Sequence, residues 1–296
     1  MNELLLRRRN LLIRKQEEEM NIRAVCFEAD GEQTVAITKQ GSAPAITMQY
    51  SYDGKTWDAW DLSALPFGGQ TKVYVRGVGN VNFSTYGTKN TFTFGTDAYV
   101  YVSGIAEALL DGENEVAKYS KPYTFSSLFY NQTALREADR LRFEAIRNSE
   151  ECYASMFKGC SNLLSAPELP ATILGYAPYR YMFINCSSLV KVPSILPATT
   201  LHSWTYAGMF KNCSSLIDAP ELPAETLEQS CYYQMFSGCT SLKTVRCRAK
   251  VTASDATNQW LYGVKTAGTF YGHSEYGWSS GPSDIPTTWT FEELTD

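Results

Sequence analysis

The chain has 296 residues, 44% of them hydrophobic and 13% aromatic, which gives it enough apolar surface for two modest folded units and excludes disorder over most of its length. Its 26 basic and 31 acidic residues leave a net charge of -5, which argues against a basic nucleic-acid binder. No run approaches the roughly 18 apolar residues that a bilayer-spanning helix requires.

Residues 1–20 contain good helix formers and neither Gly nor Pro, with Leu4, Leu5, Leu11 and Leu12 on one side. Arg7, Arg8 and Arg9 cut the apolar run, so the segment does not read as a secretory signal. The expected element is an amphipathic anchor helix in a chain made in the producing cytoplasm. Its docking contacts would be Leu4, Leu5, Arg7, Arg8, Leu11 and Leu12.

Residues 21–115 carry short β-rich runs at about 22–28, 34–38, 46–52, 72–76, 91–94 and 99–103. Asp30-Gly31, Asp53-Gly54, Gly68-Gly69 and Gly79-Asn80 punctuate them as turns. Short strands at this spacing predict an antiparallel, immunoglobulin-like β-sandwich, with a short helix over 105–111 leading out of it. Trp57, Trp60, Tyr99 and Tyr101 read as core and cross-strand aromatics rather than as sugar platforms.

A repeat follows over 116–250. Phe157, Phe183, Phe210 and Phe236 each follow a Met and stand 26, 27 and 26 positions apart. Tyr153, Tyr179, Tyr206 and Tyr232 lie four positions before these Phe residues. Cys160, Cys186, Cys213 and Cys239 lie three after, and Leu163, Leu189, Leu216 and Leu242 six after. Phe125, Leu128, Phe129, Gln132 and Leu135 occupy the same slots of a degenerate first copy. A period in the twenties with fixed leucines predicts a leucine-rich-repeat solenoid of five coils whose apolar edges bury one another. Tyr-x-x-Met-Phe would form a helical turn and Leu-x-x-Ala-Pro-x-Leu a short strand. Residues 251–296 would cap the stack. The fold class expected is therefore mixed, mainly β: an N-terminal α-helix over 1–20, the sandwich, and the solenoid with its C-terminal cap.

The eight cysteines form no CxxC pair, and only His202 and His273 accompany them. They read as buried, reduced fillers, with no metal and no cofactor. His202-Ser203 is not a dyad, because neighbours in an extended segment point apart. Glu168 and Glu221 would sit two rungs apart, beyond the spacing of a glycosidase pair. No catalytic residues are assigned. Tyr176, Trp204 and Tyr233 fall beside the ladders rather than in every rung and are the expected binding residues.

The repeat Tyr-x-x-Met-Phe-x-Gly/Asn-Cys-Ser-Ser-Leu-x-x-Ala-Pro-x-Leu-Pro-Ala resembles the BspA-like leucine-rich repeats of Bacteroidales surface antigens. It resembles more closely the variant found in virion proteins of phages of gut Bacteroidota, crAss-like phages included. The opening Asn2-Glu3-Leu4-Leu5-Leu6-Arg7-Arg8-Arg9, the segment Tyr50-Ser51-Tyr52-Asp53-Gly54 with Trp57, and the tail residues Trp278 and Trp289-Thr290 are similar to the same group. The resemblance implies a non-enzymatic virion protein, a head or tail appendage present in the virion and released on lysis. Its implied partners are capsid, portal or tail proteins, a host-surface glycan or protein, and further copies of itself, with no nucleic acid and no membrane insertion. The alternatives are a bacterial BspA-like surface adhesin and, less favoured, a glycan-degrading enzyme.

Overall fold

A computed structural model describes residues 22–112, 121–144, 147–250, 255–281 and 285–295. The anchor helix expected over 1–20, with all six of its docking residues, lies outside these.

Nine strands build two facing sheets. They are β1 (Val25–Ala29), β2 (Thr34–Gln40), β3 (Met48–Ser51), β4 (Asp58–Trp60), β5 (Leu65–Pro66), β6 (Lys72–Gly77), β7 (Ser84–Thr85), β8 (Thr88–Phe94) and β9 (Val100–Ile105). One sheet runs β4-β3-β6-β1-β9 and the other β5-β2-β8-β7, both antiparallel. Alternation decides which face each strand buries: in β6, Val73 and Val75 are fully buried, and Phe27 of β1 meets Phe92 of β8 at 5.0 Å across the core. A single 3-10 turn, Ala106–Leu109, leads out of β9.

Tenth in order, β10 (Leu135–Arg142) belongs to the first repeat copy yet joins β9 in parallel, extending the first sheet. The first coil is thus fused to the sandwich. Phe129 lies 5.6 Å from Phe92 and 6.2 Å from Phe27, so one hydrophobic core runs through both parts. Gln132, standing where later copies have Cys, accepts a hydrogen bond from the Phe94 amide at 3.2 Å. This explains the departure of the first copy: its neighbour is a strand, not another coil.

Beyond it the coils stack. Phe129–Phe157, Phe157–Phe183, Phe183–Phe210 and Phe210–Phe236 are ring pairs at 5.3, 5.3, 5.6 and 5.7 Å. A second ladder runs Phe125, Tyr153, Tyr179, Tyr206, Tyr232 at 5.8–6.1 Å, reaches Trp260 6.0 Å further on, and continues to Trp278, stacked on Trp260 at 5.6 Å. Trp260 also meets Phe236 at 6.5 Å, so both ladders converge on one indole, which passes them on to Phe270 and Trp278.

The expected fold class is corrected in three respects. First, Tyr-x-x-Met-Phe is not helical, and no α-helix occurs among the described residues. An α-helix needs bonds from residue i to i-4. Here the amides of Ala154, Met156, Lys158 and Cys160 instead reach back three residues. The alternate amides of Glu151, Tyr153, Ser155, Phe157 and Gly159 donate to carbonyls of the next coil at 2.9–3.1 Å. Every fourth residue is then left-handed: in this coil Glu151, Ser155 and Gly159, with φ of 44°, 57° and 78°.

Second, the proline-rich side forms no continuous strand. Pairs such as Ser165↔Lys191 and Ile195↔Glu221 are isolated bridges, because each Pro removes a ladder donor. Among the described residues after β10, parallel strand pairs are confined to β11 (Arg147–Asn148) with β12 (Ile173–Leu174), and to β13 (Thr244–Arg246), β14 (Thr269–Gly272) and β15 (Thr290–Glu293). The leucine-rich-repeat solenoid is replaced by a stack of turn-built coils. Third, β1 sits between β6 and β9 in the middle of its sheet, whereas the immunoglobulin arrangement places its first strand at an edge.

The slot two residues after each ladder Phe is always Asn or Gly: Asn131, Gly159, Asn185, Asn212 and Gly238, with φ between 58° and 78°. These residue types bear a left-handed backbone at least cost. Asn212 additionally donates to Asn185 Oδ1 at 2.9 Å. Asn212→Val is expected to cost about 1–2 kcal/mol and Asn212→Gly less, read by urea denaturation; equal losses would contradict the conformational reading.

Candidate functional site

With Tyr, Phe, Met and Cys turned inward, the remaining slots of the turn-built side form a partly exposed edge. The cysteines are fully part of the interior. Each Sγ donates to the carbonyl of the Phe one coil back: Cys160 to Phe129, Cys186 to Phe157, Cys213 to Phe183 and Cys239 to Phe210, at 2.9–3.1 Å. Burial pushes Cys160 and Cys239 up to about 12, and Cys186 and Cys213 well above the usual thiol value. The slot therefore needs a small apolar group with one donor. Sequence reasoning saw the filler but not the hydrogen bond. Ellman's reagent is expected to leave these four thiols unmodified in the folded protein and to titrate them in denaturant; rapid native labelling would contradict their burial.

Trp204 and Tyr233, from neighbouring coils, meet at 5.5 Å on the edge. Tyr176 is exposed but makes no ring contact among the described residues; its carbonyl accepts the Glu151 amide at 3.0 Å. The structure thus brings together two of the three expected binding residues.

Around those two, cations alternate with rings. The Arg180 guanidinium lies 5.7 Å from the Trp204 ring and 5.0 Å from Tyr181. Lys158 Nζ lies 6.0 Å from Tyr181 and 5.8 Å from Tyr130, and Lys89 Nζ of β8 lies 3.6 Å from Tyr130. Burial, and after it the charge of Lys158, lowers the Lys89 pKa. Arg180 is balanced by Glu151 at 3.5 Å, whereas Lys89 and Lys158 make no ion pair among the described residues. Sequence reasoning missed Lys89, Tyr130, Lys158, Arg180 and Tyr181. The available signal was that Tyr130, Lys158 and Lys211 share the slot one residue after the ladder Phe.

The groups weighed for catalysis lie elsewhere. The His202 side chain is exposed, and its backbone amide donates to Thr205 Oγ1 at 3.0 Å. Glu221 pairs with Arg248 at 3.3 Å. No helix among the described residues is long and apolar enough to cross a membrane. Comparisons with protein-family models, curated proteins and solved structures found no match.

Proposed function

We propose that this chain is a non-enzymatic structural protein of a phage virion, a head or tail appendage that binds the host surface or a partner protein. In this reading residues 1–20 dock on capsid, portal or tail proteins, and the stacked coils project outward. The observation that carries the reading is the division of labour within each coil. The residues that recur (Tyr, Met, Phe and Cys) are consumed in holding coil on coil, with the aromatic ladders continuous from the sandwich to Trp260. The residues that break the repeat, such as Arg180, Tyr181, Trp204 and Tyr233, collect on one outward edge. A rigid scaffold presenting a non-repeating edge suits recognition.

Mass spectrometry of phage particles purified from a lysed culture that encodes the chain tests this. The expected result is the chain in stoichiometric amount with the major virion proteins. Its recovery only in the envelope of uninfected cells would overturn the reading in favour of a bacterial surface adhesin.

A further inference from the structure

We propose that the edge strip formed by Lys89, Tyr130, Lys158, Tyr181, Arg180 and Trp204 is a binding site for an acidic polysaccharide lying along the stack. The inference rests on the adhesive reading above and names the ligand class of that site.

Two features of the strip point to an anionic ligand. Lys89 and Lys158 approach the same Tyr130 ring, yet neither has a carboxylate partner among the described residues. Gathering two like charges at one ring is unfavourable for the isolated chain. Burial is the larger cause of the lowered Lys89 pKa, and the charge of Lys158 lowers it further. The whole chain carries a net charge of -5, so this concentration of positive charge runs against its overall balance. An anion seated between the two ammonium groups would relieve the repulsion.

The second feature is extent. The cations do not form one pocket but are spread along the stack: Lys89 comes from the sandwich beside the first coil, Lys158 from the second, and Arg180, already balanced by Glu151 at 3.5 Å, from the third. Beyond the cations, Trp204 with Tyr233 offers an apolar platform suited to the carbon–hydrogen faces of sugar rings. A linear polymer bearing a carboxylate every sugar or two matches that spread. A nucleic acid matches it less well, since its binders typically neutralise about 6–10 phosphates and need a denser run of cations.

The test uses the full chain and polygalacturonate, with methyl-esterified polygalacturonate, which has the same backbone without its charge, and oligo-dT as comparators. The expected result is binding of polygalacturonate alone, abolished at about 1 M salt, where screening acts within about 3 Å. The double variant Lys89→Gln/Lys158→Gln should weaken binding by roughly tenfold or more, about 1.4 kcal/mol, without a fall in melting temperature. Trp204→Ala, at a half-buried position outside the ladders, should weaken binding independently. No binding of polygalacturonate, equal binding of the esterified polymer, or full affinity in the double variant would each overturn the proposal. Preferential binding of oligo-dT would replace the ligand class. A chain found in virions that ignores polygalacturonate would sink this inference and leave the virion reading standing.

Discussion

Phe183→Ala is expected to lower stability by about 3–5 kcal/mol, the usual cost of deleting a fully buried ring that its surroundings cannot refill. Phe183 is completely buried, stacked on Phe157 at 5.3 Å and on Phe210 at 5.6 Å. Collapse of the cavity is opposed from both sides, because the backbones of these coils are tied by Phe157 to Met182 and Phe183 to Met209 hydrogen bonds, each 2.9 Å. The same core continues through Phe129 into Phe92 and Phe27, so the loss should reach the sandwich. Urea denaturation followed by near-ultraviolet circular dichroism is the measurement. The variant should unfold in one transition at lower urea. Two transitions, with the sandwich unchanged, would mean that the core is not shared.

The second large effect is alkaline unfolding. Burial raises Cys160, Cys231, Cys239 and Cys247 to about 12, and Cys186 and Cys213 well above the usual value. In the unfolded chain these thiols lose their protons near pH 8.5, as free cysteines do. Above that pH the folded state therefore holds more protons than the unfolded state, and stability falls as pH rises. Each thiol contributes about 1.4 kcal/mol per pH unit between its unfolded and folded pKa values. The stability is complete below about pH 8.5 and is lost progressively towards about pH 12. Tyr153, Tyr179 and Tyr232, likewise raised by burial, add to the slope above about pH 10. Urea titrations at several alkaline pH values should show this decline. The variant Cys186→Ser/Cys213→Ser should show a shallower one, since serine does not titrate there. Stability that stays level from about pH 8.5 to 10.5 would contradict the buried thiol ladder.

The stacking partners were legible in the sequence because identical rungs must repeat the residues that touch. The period, the Tyr, Phe and Cys slots and the Asn/Gly slot all follow from that rule. The backbone carrying them was not legible, and the reason lies in the spacing itself. Tyr153 and Phe157, four apart, share a face in a helix of period 3.6. They also share one in a chain whose amides alternate with period two. Only the left-handed residues at Glu151 and Ser155 separate the two cases, and neither residue type announces that conformation. The sandwich strands were visible from their alternation, but the central place of β1 depends on pairings across the sheet. The edge strip was hidden for a related reason: Lys89, Tyr130, Lys158 and Tyr181 come from separate elements and converge only once the coils are stacked. Gln132 standing in the Cys slot set the first copy apart, although the hydrogen bond that it accepts from the Phe94 amide needed the structure.

The alternating hydrogen-bond scheme is the feature on which the stack depends, and through-hydrogen-bond scalar couplings measured by NMR on deuterated protein report it bond by bond. The expected result links the amide nitrogen of Phe157 to the carbonyl carbon of Met182 and that of Met156 to Tyr153. A coupling from the Phe157 amide to the Tyr153 carbonyl, four residues back, would instead place a helix in the repeat and contradict the stacked-coil account.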